Sequence, residues 1–287
     1  MPLDPSLHEE NRIAWNAATD AHNSHKRDQA AFFRNGGDTL FPEEVELLGD
    51  LSGKRLLHLQ CNAGQDTLSL VRRGAVATGV DISDTAIAFA RRLSAESGIP
   101  AEFARSDVFD WFAGAVAAGE RYDIVFCSYG VTGWLSDLAG WAAGIASVLK
   151  PGGRFVYVDF HPFSMILSES WRPDHSYFVD GEPITWDDGI GDYVALSGDA
   201  LTPSGFEPGV ENFVNPHRAH EFAWGLGTLI TVLLDAGLAL TTLREYPFSN
   251  GAKLFDDMRE TPGRRMMPPE GFPSVPLMFA IAARKPK

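Results

Sequence analysis

The chain contains little cysteine and little positive charge. Only Cys61 and Cys127 occur among 287 residues, and both fall where buried strands are expected to end, so no disulfide framework is predicted. Asp and Glu outnumber Lys and Arg by 38 to 24, which gives a formal net charge of −14. This charge opposes binding to a phosphate backbone, and we expect no nucleic-acid partner.

The sequence also lacks long apolar runs and a secretory leader. No run approaches the roughly eighteen apolar residues of a membrane-spanning helix, and the N-terminus carries acidic residues where a leader has basic ones. We therefore expect a cytoplasmic protein with no membrane partner. A hydrophobic content of 45% over this length predicts a globular chain with one large core.

Apolar runs alternate with helical patterns between residues 54 and 160, which is typical of βαβ units in a parallel sheet. Near the C-terminus, a helix precedes two strands that we expect to finish the sheet as an antiparallel pair. Strands are predicted at 55–59, 77–80, 101–104, 122–128, 154–159, 240–246 and 277–283, and helices at 9–21, 66–73, 84–97, 108–118, 135–149 and 225–235.

These elements predict an α/β fold, a Rossmann-like doubly wound sheet of seven strands that is mostly parallel with an antiparallel C-terminal strand. Residues 1–50 are expected to form a helical lid and 51–160 the cofactor-binding core. Residues 161–220, rich in Pro, Gly, Asp and aromatics, are interpreted as a substrate-facing insertion. A structural extension that covers apolar surface is the alternative for this insertion. Residues 221–287 complete the core sheet.

Three strand ends carry residues suited to a nucleotide, because ligands of open parallel sheets bind at the carboxyl ends of the strands. Gly64 permits close backbone approach after the first strand. Asp81 ends the second strand, where an acid can accept both ribose hydroxyls, and Asp107 is placed to accept from an adenine amino group. Taken one at a time, each residue also has a purely structural explanation. The glycine can serve packing, and the acids can cap a helix. Because all three follow strands of the same predicted sheet, they together indicate a nucleotide site.

Together, the segments around these three strand ends and the two strands that follow resemble the class I S-adenosylmethionine-dependent methyltransferase family. LKPGG before the fifth strand is the most diagnostic match, since nicotinamide-binding folds do not typically show it. His58, Gln60 and Asn62 stand where the family usually has an acid and two glycines, which leaves open whether backbone carbonyls near Gln60 or lid residues such as His22 and His25 hold the methionine ammonium. The matching segments are LLHLQCNAGQDTLSLVRRGA, TGVDIS, RSDVFD, YDIVFCSYGV and LKPGGRFVYVDF.

A bacterial small-molecule subgroup with an LHLQC turn is similar over most of the chain. The resemblance implies S-adenosylmethionine as cofactor, S-adenosylhomocysteine as product, and in-line methyl transfer to a small aromatic or heterocyclic metabolite through an O, N or C acceptor. His161 and Tyr129 are the candidate catalytic residues. Substrate contacts are expected from His161, Trp171, Trp186 and His220. The implied cofactor residues are Trp15, His22, Gln60, Cys61, Asn62, Gly64, Asp81, Ile82, Ser106, Asp107, Val108, Ser128 and Tyr129.

Two other functions fit some features of this pattern. A methyltransferase-like binding or scaffold protein would keep the fold without turnover. A nicotinamide-dependent oxidoreductase would also place an acid on ribose, but its G-x-G-x-x-G turn is absent from the sequence. The two His-x-x-His pairs lack further ligands, so we expect no metal. We expect a monomer or a homodimer.

Overall fold

The computed structural model describes residues 3–168, 170–179 and 181–287. Its main sheet has seven strands in the order β3-β2-β1-β4-β5-β12-β8. The strands are β1 (Arg55–Leu59), β2 (Val76–Asp81), β3 (Glu102–Arg105), β4 (Tyr122–Ser128), β5 (Leu149–Phe160), β6 (Pro183–Trp186), β7 (Ala219–Phe222), β8 (Ala239–Tyr246), β9 (Ser249–Asn250), β10 (Arg259–Thr261), β11 (Arg265–Met267) and β12 (Met278–Arg284).

The first five strands of this sheet pair in parallel, and β12 is antiparallel to both β5 and β8. The predicted seven-stranded, mostly parallel sheet is thereby confirmed. Each βαβ crossover returns the chain to the same edge, so the carboxyl ends of β1 to β5 lie together.

Helices cover both faces of the sheet. One face packs against α6, α7 and α9 around the fully buried Trp141, and the other against α3, α4 and α5. The helices are α1 (Pro5–Ser24), α2 (Gln29–Arg34), α3 (Pro42–Leu48), α4 (Gln65–Arg72), α5 (Asp84–Ser97), α6 (Val108–Ala117), α7 (Leu138–Val148), α8 (Tyr193–Ser197) and α9 (Leu226–Asp235). Among the helices of the described ranges, none combines the length and the apolar character needed to cross a membrane.

The LKPGG segment differs from its prediction. The sequence predicts a turn that separates helix and strand, whereas the structure includes Leu149–Gly153 in β5, with a register shift against β4. Gly152 has a φ of 77°, and a Cβ on Gly153 would lie 2.8 Å from the carbonyl oxygen of Lys150. The two glycines therefore allow a bulge within β5, where side chains would clash.

The segments outside the main sheet contain more structure than the sequence predicts. Residues 1–50 hold three helices instead of one, and α1 packs against α5 and β7. The segment between β8 and β12, where the sequence predicts no strand, contains a three-stranded sheet of β10, β11 and β9. Strands of two or three residues are too short to show an alternating pattern, which explains the wrong prediction.

Two helical glycines allow a test of the packing between α6 and α7. Gly144 faces Phe112, and an added Cβ would overlap the ring, whereas a Cβ on Gly114 would meet no atom within 4 Å. Gly144→Ala should therefore lower the free energy of unfolding by about 1–3 kcal/mol through overpacking. Gly114→Ala should raise it by up to about 1 kcal/mol, because alanine favours helix. Urea denaturation of both variants measures this, and equal effects would contradict the packing.

Candidate active site

The turn after β1 is held in an unusual backbone conformation. Gln60, Asn62 and Gly64 all have positive φ values, of 52°, 48° and 81°. Glycine adopts such values freely and Asn more readily than most residues, so Gln60 is the strained residue of this turn. A Cβ on Gly64 would lie 2.7 Å from the Cβ of Ala90, so close packing on α5 also requires this glycine.

The side chains of the turn have different partners. Gln60 Nε2 donates to the carbonyl of Val131 at 2.9 Å, while its Oε1 is buried without a hydrogen-bond partner. Asn62 Oδ1 accepts from the amide of Ala63 at 2.6 Å. The thiol of Cys61 is buried and free. The turn therefore presents one unused acceptor, Gln60 Oε1.

Asp81 connects the end of β2 to this turn. Its Oδ2 accepts from the amide of Asn62 at 2.8 Å and its Oδ1 from the amide of Ser83 at 2.9 Å. Burial raises the pKa of Asp81 to about 6, against the opposing effect of these hydrogen bonds and of the Ile82 amide. Each carboxylate oxygen has two lone pairs, so acceptor capacity for ribose hydroxyls remains.

The end of β3 lies beside Asp81. The amide of Ser106 donates to the Asp81 carbonyl at 2.9 Å. Asp107 caps α6 by accepting from the Phe109 amide at 2.9 Å, and the buried Val108 begins that helix. Ser106 and Asp107 therefore lie beside Asp81, where β2 and β3 end.

His8 of α1 also contacts Asp107, and the sequence did not single it out. His8 Nε2 accepts from the amide of Ser136 at 3.2 Å, which leaves Nδ1–H to donate to Asp107 Oδ2 at 2.7 Å. These hydrogen bonds therefore hold the start of α1 against the end of β3 and the start of α6.

Aromatic side chains from α1 and α8 meet above the turn. The Trp15 ring lies 5.3 Å from Trp134 and 6.0 Å from His22, and the His22 ring lies 4.2 Å from Tyr193. Nε2 of His22 donates to the carbonyl of Gly191 at 2.9 Å, and its Nδ1 has no partner. Burial lowers the pKa of His22 to about 4. Trp15 and His22 thus lie together, with Tyr193 from residues 161–220 beside them, and the role of Trp15 and His22 in cofactor binding stays a prediction.

The ends of β4 and β5 are joined through Asp159. Its buried carboxylate accepts from the amides of Gly130 and Val131, at 2.5 and 3.0 Å. These bonds shape the loop that follows Ser128, a buried residue at the end of β4. The strand-end acid in VDF is the signal that could have identified Asp159 from the sequence.

The two predicted catalytic residues do not come together. Tyr129 packs against Phe160 on the α3 side of the sheet, with ring centroids 5.6 Å apart. His161 packs instead near Phe279, which belongs to the opposite face. Nδ1 of His161 accepts from the Phe163 amide at 3.0 Å. The two side chains therefore lie on opposite faces of the sheet, and their catalytic role stays a prediction.

The remaining polar atom of His161 is Nε2. It lies 3.0 Å from Glu245 Oε1, the distance of an ion pair if the imidazole is protonated. Burial lowers the pKa of His161, and the carboxylate of Glu245 opposes that effect.

The three predicted substrate contacts of the insertion and β7 are also separated. Trp171 is buried against Phe255 and donates from Nε1 to Asp257 at 2.6 Å. Trp186 donates to Glu221 on one face of the β6–β7 ribbon. His220 lies on the other face of that ribbon, between Thr185 Oγ1 and Glu10 Oε2, each 3.0 Å from a ring nitrogen. Trp171 and His220 are buried in contacts between elements, whereas Trp186 is exposed, and the role of all three as substrate contacts stays a prediction. Within the described ranges no group of three or more His, Cys, Asp or Glu residues could hold a metal.

Comparison with known proteins gives a consistent picture of the core. Residues 56–153 match a family model described as a methyltransferase domain. A 120-residue segment is 33% identical to the ubiquinone biosynthesis O-methyltransferase of Hahella chejuensis, and it covers 41% of this chain and 49% of that enzyme. The matched segment thus spans about half the length of this curated relative.

Solved structures share the fold over most of the chain. The CcbJ methyltransferase from Streptomyces caelestis has a TM-score of 0.56 at 14% identity, with 96% of this chain and 99% of that chain covered. An S-adenosylmethionine dependent methyltransferase from Mesorhizobium loti has a TM-score of 0.50 at 18% identity, with 88% and 99% covered. The likeness to a subgroup with an LHLQC turn stays a prediction. The family match, the strand order and the acids at the strand ends identify residues 56–153 as a class I S-adenosylmethionine-dependent methyltransferase domain.

Proposed function

We propose that the chain transfers a methyl group from S-adenosylmethionine to a small aromatic or heterocyclic metabolite. The observation that carries this proposal is the position of Asp81, which is bonded to the turn after β1 and lies beside Ser106 and Asp107. These groups stand at the carboxyl ends of a sheet with the methyltransferase strand order.

The residues fit the proposed cofactor. Asp81 retains acceptor capacity for the ribose hydroxyls, and Asp107 and Val108 border the expected adenine position. Gln60 Oε1, buried and without a partner, can accept from the methionine ammonium. When bound, S-adenosylmethionine supplies a methyl carbon already activated by its sulfonium, and S-adenosylhomocysteine remains as the product.

The chain's own task is then to align the acceptor and exclude water. Tyr129 is better suited to this task than His161. Burial and the nearby Glu44 carboxyl raise the pKa of Tyr129 well above its usual value, so its hydroxyl keeps its proton and can donate to an acceptor oxygen. Nδ1 of His161 already accepts from Phe163, which places its proton on Nε2, and that tautomer is no base at Nε2.

The aromatic residues Trp15, Trp134 and Tyr193 support a planar substrate, since the rings of Trp134 and Tyr193 both lie within 6.5 Å of the Trp15 ring. The relative that acts in ubiquinone biosynthesis is an O-methyltransferase, and a hydroxyl is accordingly the acceptor we favour. We also propose residues 1–50 as the lid, 51–160 as the cofactor-binding core and 221–287 as its completion. Residues 161–220 are the proposed substrate-facing insertion, with Tyr193 as its contribution to the site.

The first test removes the Asp81 carboxylate. Asp81→Ala should weaken S-adenosylhomocysteine binding more than tenfold in calorimetry, because a charge-assisted contact to ribose is lost. Asp50→Ala is the matched control. Asp50 Oδ1 also accepts from the amide two residues later, that of Ser52, but this turn lies on an exposed surface. NAD should not bind the unchanged chain. NAD binding would favour the oxidoreductase, and cofactor binding without transfer to any metabolite tested would favour a scaffold protein.

The second test uses pH. Asp81 has a pKa of about 6, so its carboxylate is ionised at pH 7.5 and about nine-tenths protonated at pH 5. A protonated carboxyl loses acceptor capacity, and S-adenosylhomocysteine affinity should fall about tenfold between these pH values. Asp81→Asn, which cannot titrate, should lose this dependence. A fall of equal size in Asp81→Asn would assign the dependence to another group.

The third test concerns α1 as a lid. His8→Ala removes the buried bonds to Asp107 and Ser136, which are worth about 1–3 kcal/mol. Hydrogen exchange over residues 5–24 should become about tenfold faster or more, and release of S-adenosylhomocysteine should accelerate with it. His217→Ala, which alters an exposed histidine, is the control. Unchanged exchange in His8→Ala would refute the tether.

A further inference from the structure

Three polar side chains meet beside the end of β4, and we refer to Tyr129, Glu44 and Asn250 as the acceptor cluster. Asn250, in β9, donates from Nδ2 to the hydroxyl oxygen of Tyr129 at 3.0 Å. Glu44, in α3, accepts from the amide of Phe41, whose ring lies 6.0 Å from the ring of Tyr129. Glu44 is fully buried and Asn250 is 1% exposed. The cluster joins the proposed active-site strand end to α3 and the small three-stranded sheet.

Two oxygens of the acceptor cluster have no hydrogen-bond partner. Glu44 Oε2 accepts from the amide of Phe41 at 2.5 Å, but Oε1 is unpaired. Oδ1 of Asn250 is unpaired as well. Its amide cannot be reversed without loss, because Nδ2 also donates to Glu43 Oε2 at 3.2 Å, and Glu43 is ion-paired with Arg265. Buried polar atoms are nearly always paired, so two unpaired acceptors in one cluster indicate a ligand.

The charges around the acceptor cluster favour a ligand that donates hydrogen bonds to it. Among the described residues, no basic nitrogen lies within 4.0 Å of the Glu44 carboxyl. Arg264, the cation that acts on it, donates to the carbonyls of Thr39 and Ala200 and stacks on the ring of Phe41 at 4.1 Å. Burial, reinforced by the carboxylate of Asp66, raises the pKa of Glu44 well above its usual range. An entering cation would relieve this unfavourable burial of a carboxylate.

We propose that the methyl acceptor carries an amine, which binds the acceptor cluster by donating to Glu44 Oε1 and Asn250 Oδ1. This inference rests on the proposed methyltransferase function and adds the chemical class of its substrate. A neutral amine takes the proton of Glu44, whereas an ammonium displaces it to solvent. In both cases the bound nitrogen is a cation without a free electron pair. The amine therefore serves recognition, and the methyl group goes to another atom, in agreement with a hydroxyl acceptor.

The test compares matched pairs of probes on the full chain saturated with S-adenosylhomocysteine. The pairs are dopamine with 4-ethylcatechol, tyramine with 4-ethylphenol, and tryptamine with 3-ethylindole, which differ only in the terminal amine. Calorimetry should show at least one amine bound more than tenfold more tightly than its partner. Glu44→Gln, which keeps the shape and removes the charge, should reduce that preference at least tenfold. Glu46→Gln, on the exposed side of the same helix, should leave it unchanged.

The outcomes separate this inference from the proposed function. Failure of the unchanged chain to bind S-adenosylhomocysteine contradicts the methyltransferase function itself. If the cofactor binds normally but no pair shows an amine preference, the amine inference is wrong and the methyltransferase function stands. The same holds if the preference survives in Glu44→Gln. Cofactor affinity in Glu44→Gln reports whether that variant is folded.

Discussion

The pair of backbone hydrogen bonds to the Asp81 carboxylate is the constraint on which the rest of the site depends. They join the strained turn after β1 to the start of α5, and so set the distance between two neighbouring strand ends. A neutral or shorter side chain would leave the positive φ of Asn62 without this support. The same carboxylate is the proposed ribose acceptor. Its position therefore serves the fold and the function at once.

Asp159 has the corresponding role at the end of β5, which β1 and β4 separate from β2 in the sheet. Its carboxylate binds the amides that follow β4, and thereby directs Tyr129 to the α3 side of the sheet. The two acids divide the strand ends into one half with the proposed nucleotide site and another with the proposed methyl-acceptor site. Gln60, which reaches from the turn to the Val131 carbonyl, connects the halves. This explains how a chain without the usual glycines can still form a rigid site: side-chain bonds replace close backbone packing.

The sequence predicts the features whose signals are local. Apolar periodicity located the main strands, and the acid at the end of β2 was visible in TGVD. His8 and Asp107 are 99 positions apart, and nothing in either segment indicates their contact. Asn250 reaches Tyr129 only because β9 and β11, too short to show periodicity, lie against Glu43 of α3. Likewise, Ser128 pairs with Val158, so alternation along β4 and β5 would place Tyr129 and His161 on one face, and the positive φ of Tyr129, 49°, ends that alternation.

The attachment of α1 to β7 has a consequence for the order of folding. The side chain of Asn11 exchanges two hydrogen bonds with the backbone of His220, 209 positions later. During synthesis the N-terminal helix must therefore wait, without its partner strand, until most of the chain has left the ribosome. The parallel core can assemble first from contacts of shorter range. The contacts between α1 and β7 are consequently among the last to form, after the strand ends that carry the proposed nucleotide site.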